Sequence, residues 1–207
     1  MKDHMLTPSP QKVFLSFAKN YKEIPLIPVS KTPFEILVAT VLSARTRDEV
    51  TAKVCVELFK QASTPKEVSK MRIGDIETML HRLGFYKAKA INLKKLSEIL
   101  VERFNNEVPR SLENLTSLPG VGRKTANVVL ARAFKIPAIG VDTHVHRIAN
   151  MLGWVNTETP EQTEAELTKV LPKKYWVDIN RLFVSIGQQC RNNIQLEKFL
   201  KKNKLIK

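Results

Sequence analysis

Two segments of this chain open in the same way, Thr64-Pro65-Lys66-Glu67 and Thr159-Pro160-Glu161-Gln162. In each, the threonine hydroxyl can accept from the backbone N–H three residues on, where an acidic or amide side chain reaches back. Proline at the first helical position has no N–H to lose. Both segments therefore start helices, and apolar residues recur around them at helical spacing. Val13, Phe14, Phe17 and Ala18 form one stripe, ended by Pro25 and Pro28. Phe34, Leu37, Val38, Val41 and Leu42 form a second. Gly84 is placed as the C′ residue of one helix, and a long helix follows from about Ala88 to Phe104. Val108-Pro109 stops it, and Ser111 caps a short one. Alternating strand patterns are nearly absent, so the expected fold is all-α.

A chain of 207 residues with 43% hydrophobic residues has the length to bury a core and is not a disordered chain. The connections near Pro25–Pro28 and Ile136–Pro137 are the candidate boundaries, and no tandem repeat stands out. The net charge of +14 calls for a polyanionic partner, nucleic acid or an anionic membrane surface, unless it serves solubility alone. No run of 18 apolar residues exists, so no membrane span is expected. The start, Met1-Lys2-Asp3-His4-Met5 with Pro8 and Pro10, lacks the apolar core of a signal peptide. Only Cys55 and Cys190 are present, far apart and without a second ligand at metal spacing, which suits a reducing intracellular compartment. The lysine-rich stretch from Leu196 has no glycine or proline to end a helix, and a frayed helix or mobile tail is expected there.

The residues that carry chemistry begin at Leu118-Pro119-Gly120-Val121-Gly122-Arg123-Lys124-Thr125. Gly120 and Gly122 let the backbone turn tightly and let its N–H groups approach a phosphate. The helix opening near Arg123 adds the positive end of its dipole. This is no P-loop, which needs glycine before the lysine where Arg123 stands. Nor is it a dinucleotide fingerprint, which needs glycine or alanine at Thr125 and a preceding strand. The blander reading is a helix–turn–helix corner whose glycines serve geometry alone. Lys124 is the candidate nucleophile, since an amine attacks only in its neutral form and a positive helix start beside Arg123 disfavours the ammonium. Asp142 precedes Thr143-His144-Val145-His146 and suits an N-cap, a role that leaves a carboxylate able to face a pocket. His144 and His146, two apart on a helix, point to different sides, so a zinc pair is not expected.

Taken with Pro33-Phe34-Glu35-Ile36-Leu37, Leu42-Ser43-Ala44 and Gly84-Phe85-Tyr86, the stretches Leu118 to Val129 and Val141-Asp142-Thr143-His144 resemble endonuclease III, of the helix-hairpin-helix DNA glycosylase superfamily. The resemblance runs from about Pro33 to Val184. It implies two helical domains: a six-helix barrel domain over 26–136 that carries the hairpin, and a discontinuous one from 1–25 and 137–207 that carries the aspartate. The active site would lie in the cleft between them.

The resemblance also implies roles. Lys124 matches the nucleophilic lysine and Asp142 the catalytic aspartate. Relatives that only excise the base carry another residue at the lysine position, so lysine implies a bifunctional glycosylase and abasic-site lyase for damaged, usually oxidised, pyrimidines. Gly120, Val121, Gly122, Arg123 and Thr125 match the phosphate-binding hairpin, which in the family often holds a monovalent cation. Arg45 and Phe85 fall where the family fills the gap left by a flipped base, with His144 beside the lesion pocket. Arg45 stands where glutamine is expected, which leaves the opposite-base preference open. For Phe85, packing on Leu80 is the alternative. Cys190 matches the first of four iron–sulfur ligands, but the other three are missing, so no cluster is expected. Lys198, Lys201, Lys202 and Lys204 offer phosphate contacts or a solvated face. The implied partner is duplex DNA with a damaged base or abasic site, bound by a monomer in the nucleoid-associated cytoplasm. The alternatives are a glycosylase for 8-oxoguanine, uracil or mismatched thymine, and a hairpin DNA-binding module without chemistry.

Overall fold

The computed structural model describes residues 8–207. Residues 1–7, part of the stretch read for a signal peptide, lie outside the described residues. Every regular element among the described residues is helical: twelve α-helices and one 3-10 turn, with no strand. The chain divides into two compact units. One is contiguous, Ile24–Lys135, and the other joins the chain up to Glu23 to Ile136–Lys207.

The contiguous unit carries α2 (Pro33–Leu42), α3 (Asp48–Gln61), α4 (Pro65–Lys70), α5 (Ile73–Leu80), α6 (Tyr86–Phe104), α7 (Leu112–Thr116) and α8 (Arg123–Phe134). Helix α2 is apolar nearly all round, so it must be enclosed, and its residues from Ile36 to Leu42 are all buried against α8, α3 and α6. Leu37 and Leu42 are fully buried. Truncating either to alanine costs about 2–5 kcal/mol through lost transfer energy and the cavity left. The capping boxes at Thr64 and Thr159 form as their spacing requires, and a third forms at Thr32, where Glu35 reaches back to the cap. That one has the same Thr-Pro-x-Glu spelling and was overlooked in the sequence.

Gly84 is not the C′ residue expected of it. Helix α5 ends at Leu80, and Gly84 has no positive φ. Its missing side chain answers a close approach instead, because a Cβ there would lie 3.1 Å from the Arg45 carbonyl oxygen.

The discontinuous unit carries α1 (Pro10–Lys19), α9 (Thr143–Met151), α10 (Pro160–Val170), the turn Lys173–Tyr175, α11 (Trp176–Gln189) and α12 (Asn193–Lys202). Val13, Phe14 and Phe17 are buried, whereas Ala18, expected in the same stripe, is exposed. The apolar arc of α1 is thus three residues wide. Phe14 and Phe17 meet Phe183 at centroid distances of 5.9 and 4.9 Å, and Trp154 donates its indole N–H to the Pro8 carbonyl at 2.8 Å.

The C-terminal stretch is neither frayed nor loose. Asn192 caps α12, and Leu196, Leu200 and Leu205 enter the core while Phe199 packs on Phe17. Lys204 takes the left-handed conformation, φ 55°, and lets the Leu205 N–H reach the Leu200 carbonyl at 2.9 Å. This closure normally uses glycine. Burial of Leu205 holds it here without one.

Candidate active site and nucleic-acid interface

The hairpin is built outward from three buried anchors, Leu115, Leu118 and Val121. Ser111 caps α7, and the turn closes when the Val121 N–H donates to the Leu118 carbonyl at 3.1 Å. The two glycines then do different things. Gly120 has φ +78°, and a Cβ on it would press on the Asn92 amide of α6 at 3.1 Å. Gly122 is in ordinary extended backbone, and a Cβ there would meet nothing within 4 Å. The fold needs the first glycine and does not need the second. Gly122 is also the N-cap of α8 and offers no side-chain acceptor. The opening turn of α8 therefore presents its N–H groups and its dipole to the outside, a ready seat for an anion. Lys124 and Thr125 on that turn are half-buried, and Arg123 is exposed.

Asp142 lies in the discontinuous unit and caps α9. One carboxylate oxygen, Oδ1, accepts both the His144 and the Val145 N–H at 2.9 Å. No hydrogen bond to Oδ2 is seen among the described residues, so one side chain anchors a helix and still presents a second oxygen. The segment leading into the cap is held by Asn180 of α11, whose amide donates to the Gly140 carbonyl at 2.8 Å. His144 packs against the same helix, where a Cβ on Gly187 would lie 2.3 Å from its Nδ1. Asn180 and Gly187 were not singled out in the sequence. An isolated glycine inside the apolar pattern of α11 was the available signal for a close approach. His146 turns elsewhere, its Nδ1 2.6 Å from the Thr163 hydroxyl.

Arg45 and Phe85 come together in the contiguous unit. Both are exposed and both adopt left-handed backbone, φ 54° and 58°. For non-glycine residues that costs about 1–3 kcal/mol each, a reservoir that clusters at functional sites. The guanidinium lies over the ring at 5.5 Å. Phe85 is 65% exposed, so it does not pack on Leu80 as a C-cap partner. Together with Lys89, Asn92 and Gly120 the pair lines a recess of about 300 Å³. Lys89 is itself buried and bonded to the loop of Arg45, and burial holds its ammonium below the usual lysine range.

The cysteines do not make a cluster site. Cys55 is buried in α3, where burial first and the Glu35 charge second push its thiol up to about 12. Cys190 ends α11, raised by burial and partly offset by Arg147, whose guanidinium donates to the Cys190 and Gly187 carbonyls. A four-thiolate cluster does not fit these residues. Among the described residues no group of three or more His, Cys, Asp or Glu side chains is placed to hold a metal. No helix among them is long and apolar enough to cross a membrane.

An all-helical fold, an uncapped glycine hairpin and a basic balance define a DNA-binding helix-hairpin-helix protein. Over residues 38–173 the chain matches the HhH-GPD superfamily of base excision DNA repair proteins, and it belongs to that family. It is 46% identical to the Endonuclease III of Thermotoga maritima, over 92% of this chain and 88% of that one. To the Endonuclease III of Escherichia coli K12 it is 40% identical, over 76% and 74% of the two chains. Its structure resembles that of a trapped endonuclease III–DNA covalent intermediate, with a TM-score of 0.78 at 34% identity, covering 88% of this chain and 87% of that one.

Proposed function

We propose that the protein is a bifunctional DNA glycosylase and abasic-site lyase that removes damaged pyrimidines, oxidised ones foremost, from duplex DNA. The observation that carries this reading is a lysine on the first turn of an uncapped hairpin helix. Phosphate held by the turn N–H groups brings the sugar within reach of an amine. The target nucleotide is extruded, since its C1′ is inaccessible within the stack, and Phe85 with Arg45 occupies the vacated space.

In this reading the Asp142 carboxylate stabilises positive charge developing on the sugar and assists removal of a proton from Lys124, a proton that passes on to the departing base. The Lys124 amine forms a bond to C1′ as the glycosidic bond breaks, and the base leaves with its bonding pair and takes up a proton. Ring opening gives an iminium between Lys124 and C1′, which acidifies the 2′ proton. Loss of that proton expels the 3′ phosphate, and hydrolysis frees the lysine. No redox group enters these steps. A monovalent cation suits the hairpin, because the Leu118 carbonyl that accepts the Val121 N–H has a second lone pair. In this reading duplex DNA is the partner and the protein works at the chromosome, and a reducing compartment suits its two free cysteines.

Borohydride should trap a covalent adduct on duplex DNA containing an abasic site. A protein that binds such DNA and never traps would be a hairpin DNA-binding module without chemistry. Duplexes carrying single lesions (oxidised pyrimidine, 8-oxoguanine, uracil, mismatched thymine) decide the substrate, and the highest kcat/KM should fall on the oxidised pyrimidine.

A further inference from the structure

Lys89 is the one buried lysine among the described residues, 7% exposed. Its partners are neutral. The ammonium donates to the Leu42 carbonyl at 2.8 Å and to the Thr46 hydroxyl oxygen at 2.9 Å, and that same oxygen accepts the Gly84 N–H at 3.2 Å. Burying a cation against neutral groups opposes folding, whereas an aliphatic side chain of similar length would not. The three bonds join two separate loops. One runs from the end of α2 through Thr46 and carries Arg45, and the other leads into α6 and carries Phe85. Gly84 adds to the join, since a Cβ there would crowd the Arg45 carbonyl and push the two loops apart by a few tenths of an ångström. Each loop thus presents one exposed side chain on strained backbone, and the two stack on each other.

We propose that Lys89, acting through Thr46, is a positioning residue that sets the Arg45–Phe85 pair in its inserting geometry before DNA arrives. The proposal rests on the reading of that pair as the element that enters the gap of an extruded nucleotide. Two left-handed non-glycine residues relax to commoner backbone unless their surroundings hold them. With the join cut, the pair must be ordered at the moment of binding, and affinity for a gapped duplex falls by the fraction of time the pair is misplaced. Intact duplex, bound through phosphates alone, is spared. A lysine that merely neutralises the end of α2 predicts otherwise. Its loss would lower stability and leave the discrimination between gapped and intact duplex unchanged.

The test uses the full chain and a duplex with 2-aminopurine opposite a tetrahydrofuran abasic analogue, whose fluorescence reports a side chain entering the stack. Thr46→Val removes the shared oxygen with little change of shape, Thr46→Ser keeps it, and Lys89→Met removes the charge. Thr46→Val and Lys89→Met should weaken binding to the gapped duplex roughly tenfold, change binding to intact duplex less than about twofold, and diminish the fluorescence response. Thr46→Ser should restore all three. Should Lys89→Met fail to fold, the threonine pair decides alone. Wild-type fluorescence and discrimination in folded Thr46→Val, with Phe85→Ala abolishing the response, would overturn the positioning role and leave insertion standing. A full response in Phe85→Ala would overturn insertion and the positioning role together.

Discussion

The hairpin at Leu118–Lys124 and the Arg45–Phe85 tip belong to the same compact unit, and they reach their shapes by opposite means. The hairpin is local: a capped turn, two glycines and a helix start within a few residues of one another. The tip is assembled from two loops about forty residues apart in sequence, each residue in a backbone conformation its type disfavours. The hairpin stores little strain and offers backbone N–H groups, which suit any phosphate. The tip stores strain and offers a ring and a guanidinium, which suit a shaped gap. Generic attraction can be built from local chemistry, whereas discrimination here leans on tertiary contacts such as Thr46 with Gly84.

The largest effect should come from the chemical end of the hairpin. Lys124→Ala should abolish borohydride trapping, on the order of a thousandfold or more, while circular dichroism stays unchanged. Full trapping in the variant would move the nucleophile elsewhere and reduce the hairpin to an anchor. Cys55 shows the tertiary side of the contrast, because its chemistry is set by surroundings alone. With its thiol pushed up to about 12, the thiolate is scarce at neutral pH, and alkylation should be roughly a thousandfold slower than for an exposed cysteine. The neutral form is favoured in the fold, so its contribution to stability is complete below the unfolded thiol pKa and is lost as pH rises toward 12. Denaturation curves across that range, compared with Cys55→Val, should show the loss only in the parent.

The two glycines break the hairpin's own uniformity. Gly122→Val should fold like the parent and bind an abasic-analogue duplex roughly tenfold more weakly, since a branched side chain enters the space a phosphate would use. Gly120→Val should destabilise the fold itself by at least about 1–2 kcal/mol through its left-handed backbone. Parent-like binding by Gly122→Val would make the hairpin a structural corner. The smallest effect should be at the tip. Phe85→Gly relieves left-handed strain and should raise unfolding stability by about 1 kcal/mol, while lowering excision from duplex substrate. A variant that loses stability would show that the exposed ring packs more than its surroundings suggest.

Legibility in the sequence followed the same division. Capping boxes, helix order and the hairpin depend on neighbours in the chain, and Thr64, Thr159 and Ser111 could be read directly. Gly84 was misread because its reason, the Arg45 carbonyl, lies almost forty residues away. The order of α12 was missed because it comes from Leu196, Leu200 and Leu205 finding the aromatic core, not from a terminating glycine. Pairing of Thr46 with Lys89 has no spelling at all, since a buried lysine looks like any other in a chain this basic. The open Oδ2 of Asp142 was legible only as an option, because an N-cap aspartate can spend one oxygen or both.

The lysine-rich face of α12 has to be tested by substitution. Removing residues after Leu196 would take Leu200 and Leu205 out of the core. Glutamine at Lys198, Lys201 and Lys202, all exposed, tests phosphate contact while keeping the packing. Each lysine that touches phosphate should lower the salt slope of DNA affinity by roughly 0.9.

The placement of α1 has a consequence for how the chain is made. Phe17 is synthesised more than 160 residues ahead of its ring partners Phe183 and Phe199, on the order of ten seconds or more of synthesis. The contiguous unit can close during that interval. The first helix cannot, and it must carry two large rings in water until Phe183 and Phe199 have emerged. A nascent chain halted once Lys135 has emerged should thus hold a protease-resistant unit and a cleavable α1, and α1 should become resistant only once α12 has emerged.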